Sequence, residues 1–147
     1  MKQNPMHSFS KLLSILSSTI LFGGLALLLS DCFLKQDRTT TIYGTITDQN
    51  GQPVDSILLR VRGVTGLKYD KLKEFYSNQN GGYEIMLDVP KEYSSLSIAI
   101  PFSNSLNPKF TNQYLGHYVF RNDVKTNDCC YAELGEKTKY DFQLIPK

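Results

Sequence analysis

The chain predicts an all-β fold: an antiparallel, seven-stranded, Greek-key-like β-sandwich placed after an N-terminal signal helix. Three observations carry that expectation. From Thr41 onward, apolar and polar side chains alternate with a period of two, which sends one set to a buried sheet face and the other to water. Clusters of Gly, Pro, Asn and Asp break that alternation at short intervals, as turns between short strands do. After the leader no segment carries a convincing 3.6-residue apolar period, so no helix is expected there.

The leader comes first. Met1 to Lys11 is polar and basic, with Lys2 and Lys11, and Leu12 to Leu29 is apolar, densest from Ile20 to Leu29. That layout is an export signal. Leu29, Ser30 and Cys32 resemble a lipobox, in which a Leu and small residues precede the cysteine that is acylated in bacterial lipoproteins; Asp31 stands where that pattern has Gly, Ala or Ser. The resemblance implies a signal peptide over 1–31 and a palmitate-type anchor on Cys32. Each buried methylene adds about 0.8 kcal/mol, so several acyl chains on one cysteine hold a domain at a membrane without a spanning helix. Two alternatives stay open: an uncleaved signal anchor, since 12–29 approaches the roughly 20 residues of a membrane span, and an ordinary secreted protein.

Residues 32–40 read as a short polar tether, and 41–147 as one domain. Its first strand is Thr41 to Thr47, stopped by Asp48-Gln49-Asn50-Gly51-Gln52-Pro53. Ile57 to Val64 follows, with Leu59 and Val61 on one face and Arg60 and Arg62 on the other. Glu74 to Ser77 and Tyr83 to Val89 flank Asn78-Gln79-Asn80-Gly81-Gly82, and the pair reads as a hairpin with Tyr83, Ile85, Leu87 and Val89 inward. Leu96, Ile98 and Ile100 alternate with small residues until Pro101. Tyr114 to Arg121 reads as a strand, and Tyr140, Phe142 and Leu144 alternate with Lys139, Asp141 and Gln143 in the last one.

Once Lys2, Lys11 and Asp31 leave with the leader, 14 Lys+Arg face 13 Asp+Glu. Such a near-neutral surface does not favour a nucleic-acid partner, and Arg60, Arg62, Lys68, Lys71 and Lys73 read as a solvated strand and loop.

The run Tyr43 to Val54, the strand Leu58 to Val61 and the segment Ser77 to Ile85 together resemble the carboxypeptidase regulatory-like domain, a transthyretin-like β-sandwich. The shared pattern is a Gly-x-Val/Ile-x-Asp strand end, a Gly-x-Pro turn, a strand, and a later turn ending in Gly-x-Tyr/Phe. It covers roughly 42–89. The resemblance implies an accessory module or a stand-alone surface lipoprotein, of a kind common in exported proteins of Bacteroidetes-type bacteria. It does not imply peptidase chemistry, which in that family belongs to a separate domain.

The residues themselves offer no catalytic set, no metal site and no cofactor. His117 is the only histidine after the leader, so a His-rich zinc site cannot be assembled in one chain. No Gly-x-Ser-x-Gly elbow presents a nucleophile, and any acid pair drawn from Asp70, Glu74, Glu84 or Asp88 is arbitrary. Cys129-Cys130 is the unusual chemistry: in an exported protein the two form either a vicinal disulfide or two half-buried thiols. Asp48-Gln49-Asn50-Gly51 has too few carboxylates for a calcium cage.

The long segment from Pro101 to Asn127 carries Phe102, Phe110, Tyr114, Tyr118 and Phe120 among Ser, Asn and Pro. Rings among amide side chains make a sugar- or peptide-binding surface, or else they cover one end of the sandwich. The expected function is therefore a non-enzymatic, lipid-anchored cell-envelope module that binds a protein partner. The alternative is a carbohydrate-binding surface lipoprotein that uses those five rings on a glycan.

Overall fold

The computed structural model describes residues 37–147. The leader, the lipobox and Cys32 lie outside the described residues. Those that are described form β1 (Thr39–Thr47), β2 (Leu58–Thr65), β3 (Lys68–Tyr76), β4 (Gly82–Asp88), β5 (Ser95–Ala99), α1 (Pro108–Gln113), β6 (Tyr114–Arg121), β7 (Val124–Thr126), β8 (Tyr131–Ala132) and β9 (Lys137–Pro146). No helix among them is long and apolar enough to cross a membrane.

The strands make two sheets, one ordered β4-β1-β9-β6-β7 and the other β3-β2-β5-β8. Every pairing is antiparallel except β1 with β9, which is parallel. Both sheets feed one buried cluster. Ile42, Ile46, Val119, Phe142 and Leu144 enter it from the five-stranded sheet, and Leu59, Val61, Leu96 and Ile98 from the four-stranded sheet. The period-two pattern thus does what it predicts, and β1, β2, β4, β5, β6 and β9 fall where alternation places them.

Four expectations are corrected. The tether ends earlier than residue 40: Arg38 donates to the carbonyls of Val89, Pro90 and Tyr93 at 2.8, 2.8 and 2.6 Å, and Thr40 Oγ1 accepts from Gly135 N at 3.0 Å. A guanidinium tied to three carbonyls makes Arg38 part of the domain.

The expected hairpin between Glu74–Ser77 and Tyr83–Val89 does not form. The strand containing Glu74 pairs with β2, and the strand containing Tyr83 pairs with β1 in the other sheet. The intervening turn is built as expected, with Asn78 Oδ1 accepting from Asn80 N and Gly82 N at 2.9 Å each. Its Gly81 carbonyl, however, accepts from Ile46 N at 2.8 Å, which stitches the turn to the end of β1. It carries the chain from one sheet to the other.

The third correction concerns number and class: the described residues form nine strands and a six-residue helix, where the sequence predicts seven strands and, after the leader, no helix. β7 and β8 are three and two residues long, too short to show a period. Helix α1 starts on Pro108, whose fixed φ suits a first turn. It is moored by Asn107, 1% exposed, whose side-chain amide accepts from Leu58 N and donates to Leu58 O, both at 3.1 Å.

Finally, β3 begins at Lys68, well before Glu74. Leu72 and Phe75 are both packed on the core although an odd spacing separates them, which plain alternation forbids. A bulge between Val61 and Arg62 in the β2–β3 register absorbs the extra residue and lets both turn inward.

Candidate functional site

On the outer face of the five-stranded sheet lies an open cleft of about 260 Å³ lined by Thr45, Thr47, Phe120, Asp123, Asp141 and Gln143. Its origin is a fault in the parallel β1–β9 ladder. Partners run Thr41 with Lys137 to Tyr43 with Lys139, then resume only at Ile46 with Phe142. In the gap Gly44 crowds the Tyr140 carbonyl so closely that a Cβ would overlap its oxygen. That carbonyl accepts the buried Tyr83 hydroxyl. The Thr45 N–H therefore lacks a ladder partner, and Asp141 supplies one: its Oδ1 accepts from Thr45 N and Thr45 Oγ1 at 2.8 Å each.

A second carboxylate arrives from the β6–β7 turn. Asn122 and Asp123 both have positive φ, 49° and 68°, as a two-residue hairpin loop requires. The turn holds Asp123 Oδ1 2.5 Å from Lys139 Nζ, and Asp141 Oδ2 lies 3.1 Å from the same ammonium. Hydrogen bonds to Asp123 and then Asp141 raise the Lys139 pKa further above its ordinary value. The result is a set of fixed oxygen acceptors beside the half-buried Phe120 ring. Tyr118 continues the face, paired with Gln143 in register and capped by Lys125 Nζ 3.5 Å from its ring centroid.

The five rings singled out in the sequence are not one surface. Phe110 is 1% exposed and stacks on half-buried Tyr114, with centroids 6.2 Å apart and planes at 21°. Phe102 meets Phe110 edge-on at 5.8 Å. Phe110 and Tyr114 pack into one end of the core, so burial removes Phe110 from any ligand surface, while Phe102 stays 69% exposed over it. Phe120 lines the cleft, and Tyr118 lies on the same outer face beside Gln143.

Thr45, Asp123, Asp141 and Gln143 escaped the sequence reading. One signal for them was present: Asn122-Asp123 between a strand and Val124 is a short-hairpin pattern. The Asp141–Thr45 contact joins residues 96 apart and left no local trace.

His117 is half-buried, its ring 5.2 Å from Phe142 and 6.0 Å from Phe110, with Nδ1 buried and unpartnered among the described residues. Desolvation lowers its pKa. It faces the core, away from the cleft. Cys130 is 2% exposed and its carbonyl accepts from Ile98 N at 3.0 Å, while Cys129 is exposed. Their sulfurs are paired with each other at the start of β8. Asp48 Oδ1 is taken up by Asn50 N and Gln52 N at 2.8 Å each. Among the described residues no three His, Cys, Asp or Glu side chains gather as a metal site.

No family model matches the chain, and no curated protein matches it. Among solved structures it is similar to the dioxygenase domain of a dioxygenase–carbohydrate-binding protein fusion from the cellulolytic bacterium Streptomyces sp. SirexAA-E. The identity is 14% over 77% of this chain and 83% of that one, with a TM-score of 0.38, a likeness too distant to carry an activity across.

Proposed function

We propose that the chain is a non-enzymatic, lipid-anchored envelope module whose outer five-stranded face binds a glycan, built on a Greek-key β-sandwich of the transthyretin-like kind. The observation that carries this reading is the cleft: one aromatic ring, Phe120, beside the Gln143 amide, threonine hydroxyls and two carboxylates that Lys139 and Thr45 hold in place. A sugar offers an apolar face to a ring and hydroxyls to acceptors, which is the chemistry this arrangement meets. Binding rather than catalysis is favoured because His117, the one imidazole of the described residues, faces the core, and both carboxylates of the cleft share an ammonium.

Affinity electrophoresis of the full-length chain in detergent, through gels containing soluble cell-wall or plant polysaccharides, tests the reading. Retardation by one polysaccharide that is lost in Phe120→Ala supports it; free migration through all of them sinks it. For the anchor, metabolic palmitate labelling should mark the wild type and not Cys32→Ser, and equal labelling of both overturns it.

A protein partner is the second reading. Leu67 at the β2–β3 tip is 97% exposed, an apolar side chain with nothing over it among the described residues. Cross-linking in the native envelope that disappears in Leu67→Asp would favour this reading over the glycan.

A further inference from the structure

The outer face of the four-stranded sheet carries a cation without a counter-charge. Arg60 lies 2.6 Å from Glu74, Lys71 3.6 Å from Glu74, and Lys68 2.9 Å from Asp70. Arg62 faces no carboxylate among the described residues. Its Nε is buried without a partner, and its Nη2 makes only a long contact, 3.5 Å, to Ser97 Oγ. The bulge that turns Leu72 to the core also sets Lys71 directly opposite Arg62, so two like charges meet across the strands.

Two tyrosines roof this spot. Tyr69 stands on β3 and Tyr131 on β8, the opposite edges of the sheet, roughly 14 Å apart at about 4.8 Å per strand interval. Their hydroxyls meet at 2.5 Å over the intervening strands. The Tyr69 ring centroid lies 4.9 Å from Arg62 Cζ. Ser97, on the solvent side of β5 opposite Tyr131, is only 4% exposed beneath them. In a hydrogen bond between two hydroxyls one proton stays unused. A guanidinium edge and a serine hydroxyl thus lie together beside the Tyr69 ring, and the tyrosine pair that roofs them keeps one phenol proton to donate.

We propose that Arg62, Ser97, Tyr69 and Tyr131 form a binding site for an oxyanion, a carboxylate or phosphate group carried by a ligand. The planar fork of a guanidinium matches both groups with paired hydrogen bonds, and the surrounding hydroxyls complete the donor set. The site lies on the other sheet from the cleft and does not depend on the glycan reading.

The test is a titration of the full-length protein, labelled with ¹⁵N-arginine, in detergent. Sodium acetate and inorganic phosphate are added at constant ionic strength, with sodium chloride as the control. The Arg62 Nε–H signal, identified by its loss in Arg62→Gln, should shift saturably with at least one of the two, with a midpoint on the order of millimolar for so small an ion. The ion that saturates at the lower concentration identifies the group. Tyr69→Phe combined with Tyr131→Phe should raise the midpoint about fivefold or more by removing both hydroxyls, and Arg60→Gln should leave it unchanged because that charge is committed to Glu74. A shift that merely follows chloride overturns the proposal. So does undiminished saturation in the double phenylalanine variant, which retains Arg62 and stays informative even where Arg62→Gln fails to fold.

Discussion

On the outer face of the five-stranded sheet the two lysines of β9 have acids beside them: Lys137 lies 3.0 Å from Glu84, and Lys139 is shared by Asp123 and Asp141. On the outer face of the four-stranded sheet Arg60 and Lys71 share one Glu74, and Arg62 is left over. The difference comes from how each sheet handles an irregularity. Between β1 and β9 the ladder fault is repaired by a side chain, Asp141, whose charge then attracts Lys139. Between β2 and β3 the fault is a bulge that serves the core, and its electrostatic consequence on the outside is left uncorrected. An irregularity thus builds a closed polar network on one face and an open donor cluster on the other.

The strongest way to break this contrast is at the fault itself. Gly44→Ala should destabilise the protein by about 3 kcal/mol, since the added Cβ collides with backbone that cannot swing away. Gly66→Ala at the β2–β3 tip meets nothing within 4 Å and suffers only its φ of +58°, so about 1 kcal/mol is expected. Urea midpoints measure both, and equal losses would mean that the β1–β9 contact is not tight.

Next in size is ligand binding on the closed face. Phe120→Ala with Tyr118→Ala should weaken polysaccharide retardation by about tenfold or more, near 1.4 kcal/mol of binding, with little change in the unfolding midpoint. Loss of retention that only tracks loss of folding would remove the rings from recognition.

Asp141→Ala should cost about 1 kcal/mol by leaving Thr45 N without its partner and Lys139 with one acid instead of two. Asp141→Asn should cost less, because the amide oxygen still accepts from Thr45. Were the two variants equally unstable, the ion pair rather than the ladder repair would be the stabilising part.

The smallest effect is set inside, between the two sheets. His117 is held neutral by burial, so its folded pKa is depressed and its contribution to stability is complete above the unfolded value of about 6.5. That contribution falls away as the pH drops below this value toward the folded pKa. His117→Gln should flatten the stability slope between about pH 6.5 and 5. An unchanged slope would assign the acid sensitivity to other groups, such as Asp55 and Glu74, whose depressed pKa values act at lower pH.

Much of the fold was legible because alternation is local. Ile42 and Ile46, Leu59 and Val61, Leu96 and Ile98, and Phe142 and Leu144 mark their strands without knowledge of any partner, and all eight are buried. The turns at Asp48–Pro53 and Asn78–Gly82 were legible for the same reason, since Asx side chains bond backbone a few residues away. Partner choice was not. The turn after Tyr76 looks like a hairpin turn, yet its flanking strands join different sheets: β3 pairs with β2 and stays an edge strand, while β4 pairs with β1, where its inward residues join the shared core. The ring-rich stretch after Pro101 misled in the same manner: Phe110 and Phe120 are equivalent in composition, and only packing sends one to the core and the other to the cleft.

The sequence by itself determined the strands and inward side chains of β1, β2, β4, β5, β6 and β9 and the turns at Asp48–Pro53 and Asn78–Gly82, since each depends on neighbours within a few positions. It also carries the lipobox resemblance at Cys32, which the described residues neither reach nor alter. The tertiary structure alone decided the parallel contact of β1 with β9, the Asp141 repair at Thr45, and the tyrosine bridge above Arg62. These join residues 96 and 62 positions apart. Contacts at such range follow from the order in which strands pair, and strand pairing is chosen by the shared core rather than by any local pattern.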